Sequence, residues 1–161
     1  MKKFDKKIQI RIIKITLIIV WMVIVFCFSN QGGTKSSNTS RKVTVAVVQV
    51  VSDRTIEEDE PLLENIEKII RKLAHYTIYA VGGFLIMNYA YTTNRKTKEK
   101  VFYSTAFGIG YAVTDELHQF FVAGRSASIF DVCIDALGIV TGIGIYVIMR
   151  KAIERLKDKA V

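Results

Sequence analysis

Four stretches of this chain are apolar over about the 20 residues that a helix needs to cross a hydrocarbon core, and the rest of the sequence must be fitted around them. They cover residues 8–28, 73–91, 101–121 and 129–149. None contains proline, so each can run as an unbroken helix. The only proline, Pro61, precedes the second run, where its fixed φ and missing N–H suit the first turn of a helix. Barrel strands would alternate over roughly ten residues between turns, whereas these runs are apolar on nearly every side over about twice that length. The predicted fold is an all-α integral membrane protein, a bundle of four transmembrane helices in one domain covering residues 1–161.

Charge decides which way such a bundle sits, because loops on the cytoplasmic side carry the excess of lysine and arginine. The N-terminus holds Lys2, Lys3, Lys6, Lys7, Arg11 and Lys14, the second connection holds Arg95, Lys96, Lys98 and Lys100, and the tail holds Arg150, Lys151, Arg155, Lys157 and Lys159. The acids among them are only Asp5, Glu99, Glu154 and Asp158. Both termini and the Arg95 loop are therefore expected on the cytoplasmic side of a plasma membrane. The net charge of +8 then belongs to a membrane surface facing anionic lipid, and no nucleic acid is expected as a partner. The first run resembles a signal peptide in its basic start, but it is long and Phe28-Ser29-Asn30-Gln31 offers no small-x-small cleavage site, so it reads as a retained anchor.

The expected exterior comprises a long first segment, from Ser29 to Lys72, and a short connection at Ala123, Gly124 and Arg125. In the long segment, residues 43–51 are rich in β-branched side chains that argue for a strand, while the serine before them argues for an interfacial helix; the two readings stay open. After Pro61, Leu62, Ile66, Ile69, Ile70 and Leu73 recur at helical spacing, which extends the second helix outward. Cys27 and Cys133 both lie in apolar runs, where packing rather than a disulfide is the expected role.

Ionisable groups inside a membrane span cost about 2.5–3.5 kcal/mol each at its centre, so they need partners, water or a use. The third run ends Asp115-Glu116-Leu117-His118-Gln119, and the fourth begins with Asp131 and Asp135 one turn apart. Lys72, His75 and Tyr79 share a face at the outer entrance of the second. A hairpin turning near Gly124 sets Asp115 level with Asp131 and Asp135, and His75 reaches a similar depth. Asp115, Glu116, Asp131 and Asp135 outnumber Lys72 and Arg125, so protonated carboxyls, charged histidines, a bound divalent cation or a basic group on a ligand must compensate. No tight metal-ligand spacing is present, and neither a cofactor nor a metal is predicted. The plainer alternative for the layer is a lock of hydrogen bonds and ion pairs between helices, with Gly138 and Gly142 allowing close approach beside Asp135.

Three stretches carry a family resemblance: FSNQGG from Phe28 to Gly33, RKLAHYTIYAVGG from Arg71 to Gly83, and DELHQFFVAGRSASIFDVCIDALG from Asp115 to Gly138. In these the chain resembles the VanZ-like proteins, small bacterial membrane proteins named for a member associated with teicoplanin resistance. The resemblance marks Ser29, Gln31, His75, Tyr79, Asp115, Glu116, His118, Gln119, Gly124, Arg125, Asp131, Asp135 and Gly138 as positions of the family pattern, without assigning them roles. It departs at Ala123, where a proline is usual, and at Ile78, where a glutamate is expected.

The resemblance implies a membrane protein that changes how the envelope handles a glycopeptide or a lipid-linked cell-wall precursor, with His75, Gln119, Arg125, Asp131, Asp135, Ser29 and Gln31 as ligand-binding candidates. Two other classes stand beside it. One is a membrane enzyme on a lipid-linked substrate, using Asp115 or Glu116 with His118 as acid and base. The other is a transporter or proton-coupled subunit, for which four helices require a homo-oligomer.

Overall fold

The computed structural model describes residues 3–31, 40–46, 49, 61–125 and 128–159. Four long helices follow the four apolar runs: α1 (Lys3–Ser29), α2 (Pro61–Ala90), α3 (Thr97–Phe120) and α4 (Ile129–Lys159). Pro61 is the first residue of α2, as its chemistry favours. Residues 40–46 are helical, with the Thr44 hydroxyl donating to the Ser40 carbonyl at 2.9 Å, so the serine-led reading holds there. Val47, Val48, Val50 and Val51 lie outside the described residues, as do residues 32–39. No strand occurs among the described residues.

The connections explain where the helices stop. At the end of α2, the Thr92 and Thr93 hydroxyls fold back onto the carbonyls of Tyr89 and Ala90 at 2.8 and 2.7 Å, which satisfies acceptors that the helix leaves open. The Glu99 carboxylate accepts the Lys96 N–H at 3.2 Å to start α3. Gly124, at φ 75°, supplies the left-handed residue that turns the chain toward α4. Ser128 caps α4 by accepting the Phe130 N–H on its hydroxyl at 3.2 Å. Neighbours in sequence therefore run antiparallel, and the bundle has a Gly124 end, which also holds Ser29 and Lys72, and an Arg95 end.

The most extensive helix interface joins α2 and α4. It is close because Gly138 and Gly142, one turn apart, press their backbone on α2, where an added Cβ would overlap the carbonyls of Tyr76 and Ala80. Gly83 returns the contact against the Ile139 carbonyl. This is the small-xxx-small packing that suits helices without a hydrophobic driving force between them. The Trp21 side chain lies over Gly82, and its indole N–H donates to the Ile78 carbonyl at 2.8 Å. Trp21, Tyr79, Met87, Ala112, Ile139 and Ile143 form the buried centre.

Outside that centre, large apolar side chains face outward on every helix, among them Ile13, Val23, Phe102, Leu117, Leu137 and Ile148. Among the described residues two segments, Lys6–Ser29 and Ile129–Lys159, are long and apolar enough to cross a membrane, and most of each is exposed, unlike the core helix of a soluble protein. The sequence led to four such segments. The difference lies in α2 and α3, whose apolar stretches are diluted by His75, Tyr76, Tyr79 and Asn88 and by Asp115, Glu116 and His118.

Gly142→Ala is expected to destabilise the purified protein by about 1–3 kcal/mol, as overpacked contacts do. Gly144→Ala, where a Cβ meets nothing within 4 Å, should leave the melting temperature in detergent unchanged. Equal melting of the two variants would contradict the close α2–α4 crossing.

Candidate functional site

The polar side chains at the Gly124 end fall into two groups. The first is a chain of hydrogen bonds across three helices. Tyr79 of α2 is fully buried, and its hydroxyl donates to Asp115 Oδ2 of α3 at 3.0 Å. Gln119, one turn further along α3, donates from Nε2 to the same oxygen at 3.1 Å. Its amide oxygen accepts from Arg125 Nη1 at 2.7 Å, and Arg125 Nη2 reaches the Phe28 carbonyl near the end of α1 at 3.4 Å. The left-handed turn at Gly124 brings the guanidinium back over the bundle. Half-burial, with Arg71 close by, pushes the Arg125 guanidinium below its ordinary value, and it keeps its charge at neutral pH.

The second group lies between α2 and α4. His75 Nδ1 sits 3.6 Å from Asp135 Oδ1, beyond hydrogen-bond range. Asp135 is 0 % exposed, and neither carboxylate oxygen has a hydrogen-bond partner among the described residues. Lys72 lies 3.3 Å from Asp131 and holds its ammonium over the Phe130 ring at 4.3 Å. Asp131 is thus matched by Lys72, while Arg125 goes to Gln119.

Glu116 and His118 lie apart from both groups. The Glu116 carboxylate accepts the Ser128 N–H at 2.6 Å, a charge-assisted bond that holds the start of α4 to the end of α3. The His118 ring stacks on Phe26 of α1 at 4.8 Å between centroids. The acids and base of the enzymatic reading are thus engaged separately, Asp115 by Tyr79 and Gln119, Glu116 by the Ser128 N–H and His118 by the Phe26 ring.

A cavity of about 240 Å³ opens beside these groups, between α1, α2, the end of α3 and the 40–46 helix. Its polar lining is Ser29, Gln31, Ser40, Arg71, His75, Tyr79, Asp115 and Arg125, and its apolar lining includes Val25, Phe28, Val43, Ile70 and Ile78. Of the four acids that dominate the charge sum of the sequence, Asp115 alone borders it. Among the described residues of the lining, two guanidinium groups and an imidazole stand against that single carboxylate. Arg71 is partly offset by Glu67, 2.8 Å away on its own helix. Two donors at this cavity, Ser29 Oγ and Arg71 Nε, are buried without a hydrogen-bond partner among the described residues. Buried donors in that condition are uncommon and call for an acceptor.

Arg71 was absent from the sequence candidates, although its spacing held the signal: Arg71, His75 and Tyr79 recur every four residues and so follow one side of α2. Ile78 adds aliphatic surface to the cavity. Among the described residues no three His, Cys, Asp or Glu side chains are grouped so as to hold a metal ion.

Tyr79→Phe removes one of the two donors on a buried carboxylate and is expected to cost about 1–2 kcal/mol of stability. Thermal unfolding of the two proteins in the same detergent checks it, and no change would mean that the Tyr79–Asp115 bond is not made.

A family model described as VanZ/LLP1 matches residues 14–150. Neither the curated proteins nor the solved structures contain a match to the chain.

Proposed function

Because the chain belongs to the VanZ/LLP1 family and carries helices apolar enough to cross a bilayer, we propose that it is a multi-pass plasma-membrane protein that binds an amphiphilic envelope molecule in the cavity at its Gly124 end. In this reading all four helices span, both termini are cytoplasmic, and the cavity faces outward. Its ligand is the anionic head of a lipid-linked cell-wall precursor, or a lipophilic glycopeptide of the teicoplanin type, and through it the protein contributes to glycopeptide resistance.

The cavity lining carries the proposal. Buried donors from Ser29 and Arg71 stand with the Arg125 guanidinium beside a wall of Val25, Phe28, Ile70 and Ile78. A hydrated anion alone leaves that wall unused, and a pure hydrocarbon leaves the donors unpaired at the full cost of their desolvation. A phosphate or carboxylate joined to an apolar chain serves both. Arg71 and Arg125 present planar forks suited to such oxyanions.

An enzyme acting on the same head group is the second reading, favoured by one observation. His75 borders the cavity with the Asp135 carboxylate 3.6 Å behind it, so an imidazole with an acid at its back faces the head group.

The topology has a direct test. In a background without Cys27 and Cys133, Ala123→Cys should react with a membrane-impermeant maleimide in intact cells, and Lys98→Cys only after permeabilisation. Labelling of both from one side would end the outward assignment.

For the ligand, the purified protein is offered a lipid-linked precursor and binding is read by native mass spectrometry. Arg71→Gln with Arg125→Gln should weaken binding about ten-fold or more, since hydrogen bonds to charged groups are worth about 1.5–3 kcal/mol. Unchanged binding would remove the cavity from the function. Turnover of the bound precursor that is lost in His75→Gln, with binding retained, would select the enzymatic reading.

A further inference from the structure

A second cavity lies at the opposite, Arg95 end of the bundle, away from the hydrogen-bonded site. It measures about 550 Å³ and runs between α1, α2 and α3. Ile15, Ile19, Met22, Ile86 and Phe107 wall it, and Arg95 and Lys100 stand on its border. From Ile15 to Met22 the wall follows α1 for roughly 10 Å at helical rise, the depth of several methylene groups of an extended chain.

The rim is crowded with cations that lack carboxylate partners. Arg95 lies over the Tyr103 ring at 4.4 Å, and Lys100 over the Tyr91 ring at 4.5 Å. Arg11 donates to the Thr92 carbonyl at 2.7 Å and Lys14 to the Asn88 carbonyl at 2.8 Å, which brings two more positive charges from α1 to the same end. Arg150 also comes over Tyr91, at 5.8 Å, but is paired with Glu154 at 2.7 Å. Among the described residues none of Arg11, Lys14, Arg95 and Lys100 forms an ion pair. Aromatic faces and carbonyls orient these cations without neutralising them.

We propose that this cavity is a binding site for an anionic phospholipid, with one acyl chain between α1, α2 and α3 and the phosphate at Arg95 and Lys100. Charge complementarity selects the head group: Arg95 and Lys100 border the cavity, Arg11 and Lys14 lie at the same end, and among the described residues none of the four is ion-paired. The apolar wall selects a lipid over a soluble phosphate, which would leave the cavity's length unfilled. Basic recesses between membrane helices recognise anionic head groups in this way. The site is independent of what the Gly124 cavity binds.

The chain's single tryptophan, Trp21, is next to Met22 at the cavity wall and reports occupancy. The full-length protein is reconstituted in bilayers of phosphatidylcholine containing a small fraction of phosphatidylglycerol, with one or the other lipid brominated in its acyl chains. Brominated phosphatidylglycerol should quench Trp21 well beyond its share of the bilayer, with an apparent preference over phosphatidylcholine of about thirty-fold, given about 1 kcal/mol for each of the two basic residues at the head group. Arg95→Gln with Lys100→Gln should abolish that preference. Lys98→Gln, in the first turn of α3 beside Lys100 but not bordering the cavity, should retain it, and soluble glycerol phosphate should not compete. Equal quenching by the two lipids would overturn the proposal. So would an equal loss in the Lys98 variant, which would mean a diffuse surface charge, or displacement by glycerol phosphate, which would mean a head-group site without a chain. A lost preference in the double variant with precursor binding unchanged separates this site from the outward one.

Discussion

The close crossing of α2 and α4 is the constraint from which the rest follows. Gly138 and Gly142 bring the two backbones together where an added Cβ would overlap the Tyr76 and Ala80 carbonyls. The same face of α4 carries Asp135 one turn earlier, so the crossing that suits the glycines also puts a carboxylate beside His75 with no solvent reaching it. Packing and polarity cannot be separated here. A wider crossing would admit water to Asp135 and loosen the pairing of Lys72 with Asp131 on the next turn. A lock and a site are therefore not rival accounts of this layer: the Lys72–Asp131 pair and the Glu116–Ser128 bond hold helices, and what they hold in place is the cavity wall formed by Arg71, His75 and Tyr79.

The charge of the site changes sign between sequence and structure, for a geometric reason. Counting ionisable residues at the ends of the apolar runs gives an excess of acids. Folding distributes them unevenly: Glu116 turns to the α4 N-terminus, Asp131 to Lys72 and Asp135 to the α2–α4 contact, which leaves Asp115 as the one of these four acids on the cavity. Asp115 is itself occupied by donors from Tyr79 and Gln119. Arg125 then remains as a cation at the cavity through the same chain of bonds that quiets the carboxylate. An acid-rich segment of sequence thus builds a cavity whose charged lining favours an anion.

Much of this was legible in the residues. The four helices, the start of α2 at Pro61, the turn at Gly124 and the meeting of α2, α3 and α4 at one depth all follow from apolar run length, proline and glycine chemistry and hairpin geometry. What escaped is what depends on rotation about a helix axis. Arg71 and Lys72 are adjacent in sequence and equally basic, yet one borders the cavity and the other pairs across to α4. A hundred degrees of rotation separates them, and which direction faces α1 is set by where Trp21 settles over Gly82. His118 escaped likewise: its place in a dense polar run suggested chemistry, whereas its ring is stacked on Phe26.

The two cavities make sense together as one consequence of using slender helices and few of them. Four helices around a small centre leave gaps beside α1 at either end of the bundle. Between the gaps α1 is clasped by the Trp21 indole on the Ile78 carbonyl and by the Tyr111 hydroxyl, which donates to the Met22 carbonyl at 2.7 Å. Above and below that clasp, apolar residues of α1 face open volume with a basic rim at either end. A gap of hydrocarbon width with cationic borders is complementary to an amphiphile with an anionic head, so the same physical demand arises twice. The ends differ in their hydrogen-bonding detail. At the Arg95 end the cations rest on rings and carbonyls, which tolerate any anionic head. At the Gly124 end buried donors, a bonded carboxylate and an imidazole backed by Asp135 impose direction, and direction is what discriminates one head group from another.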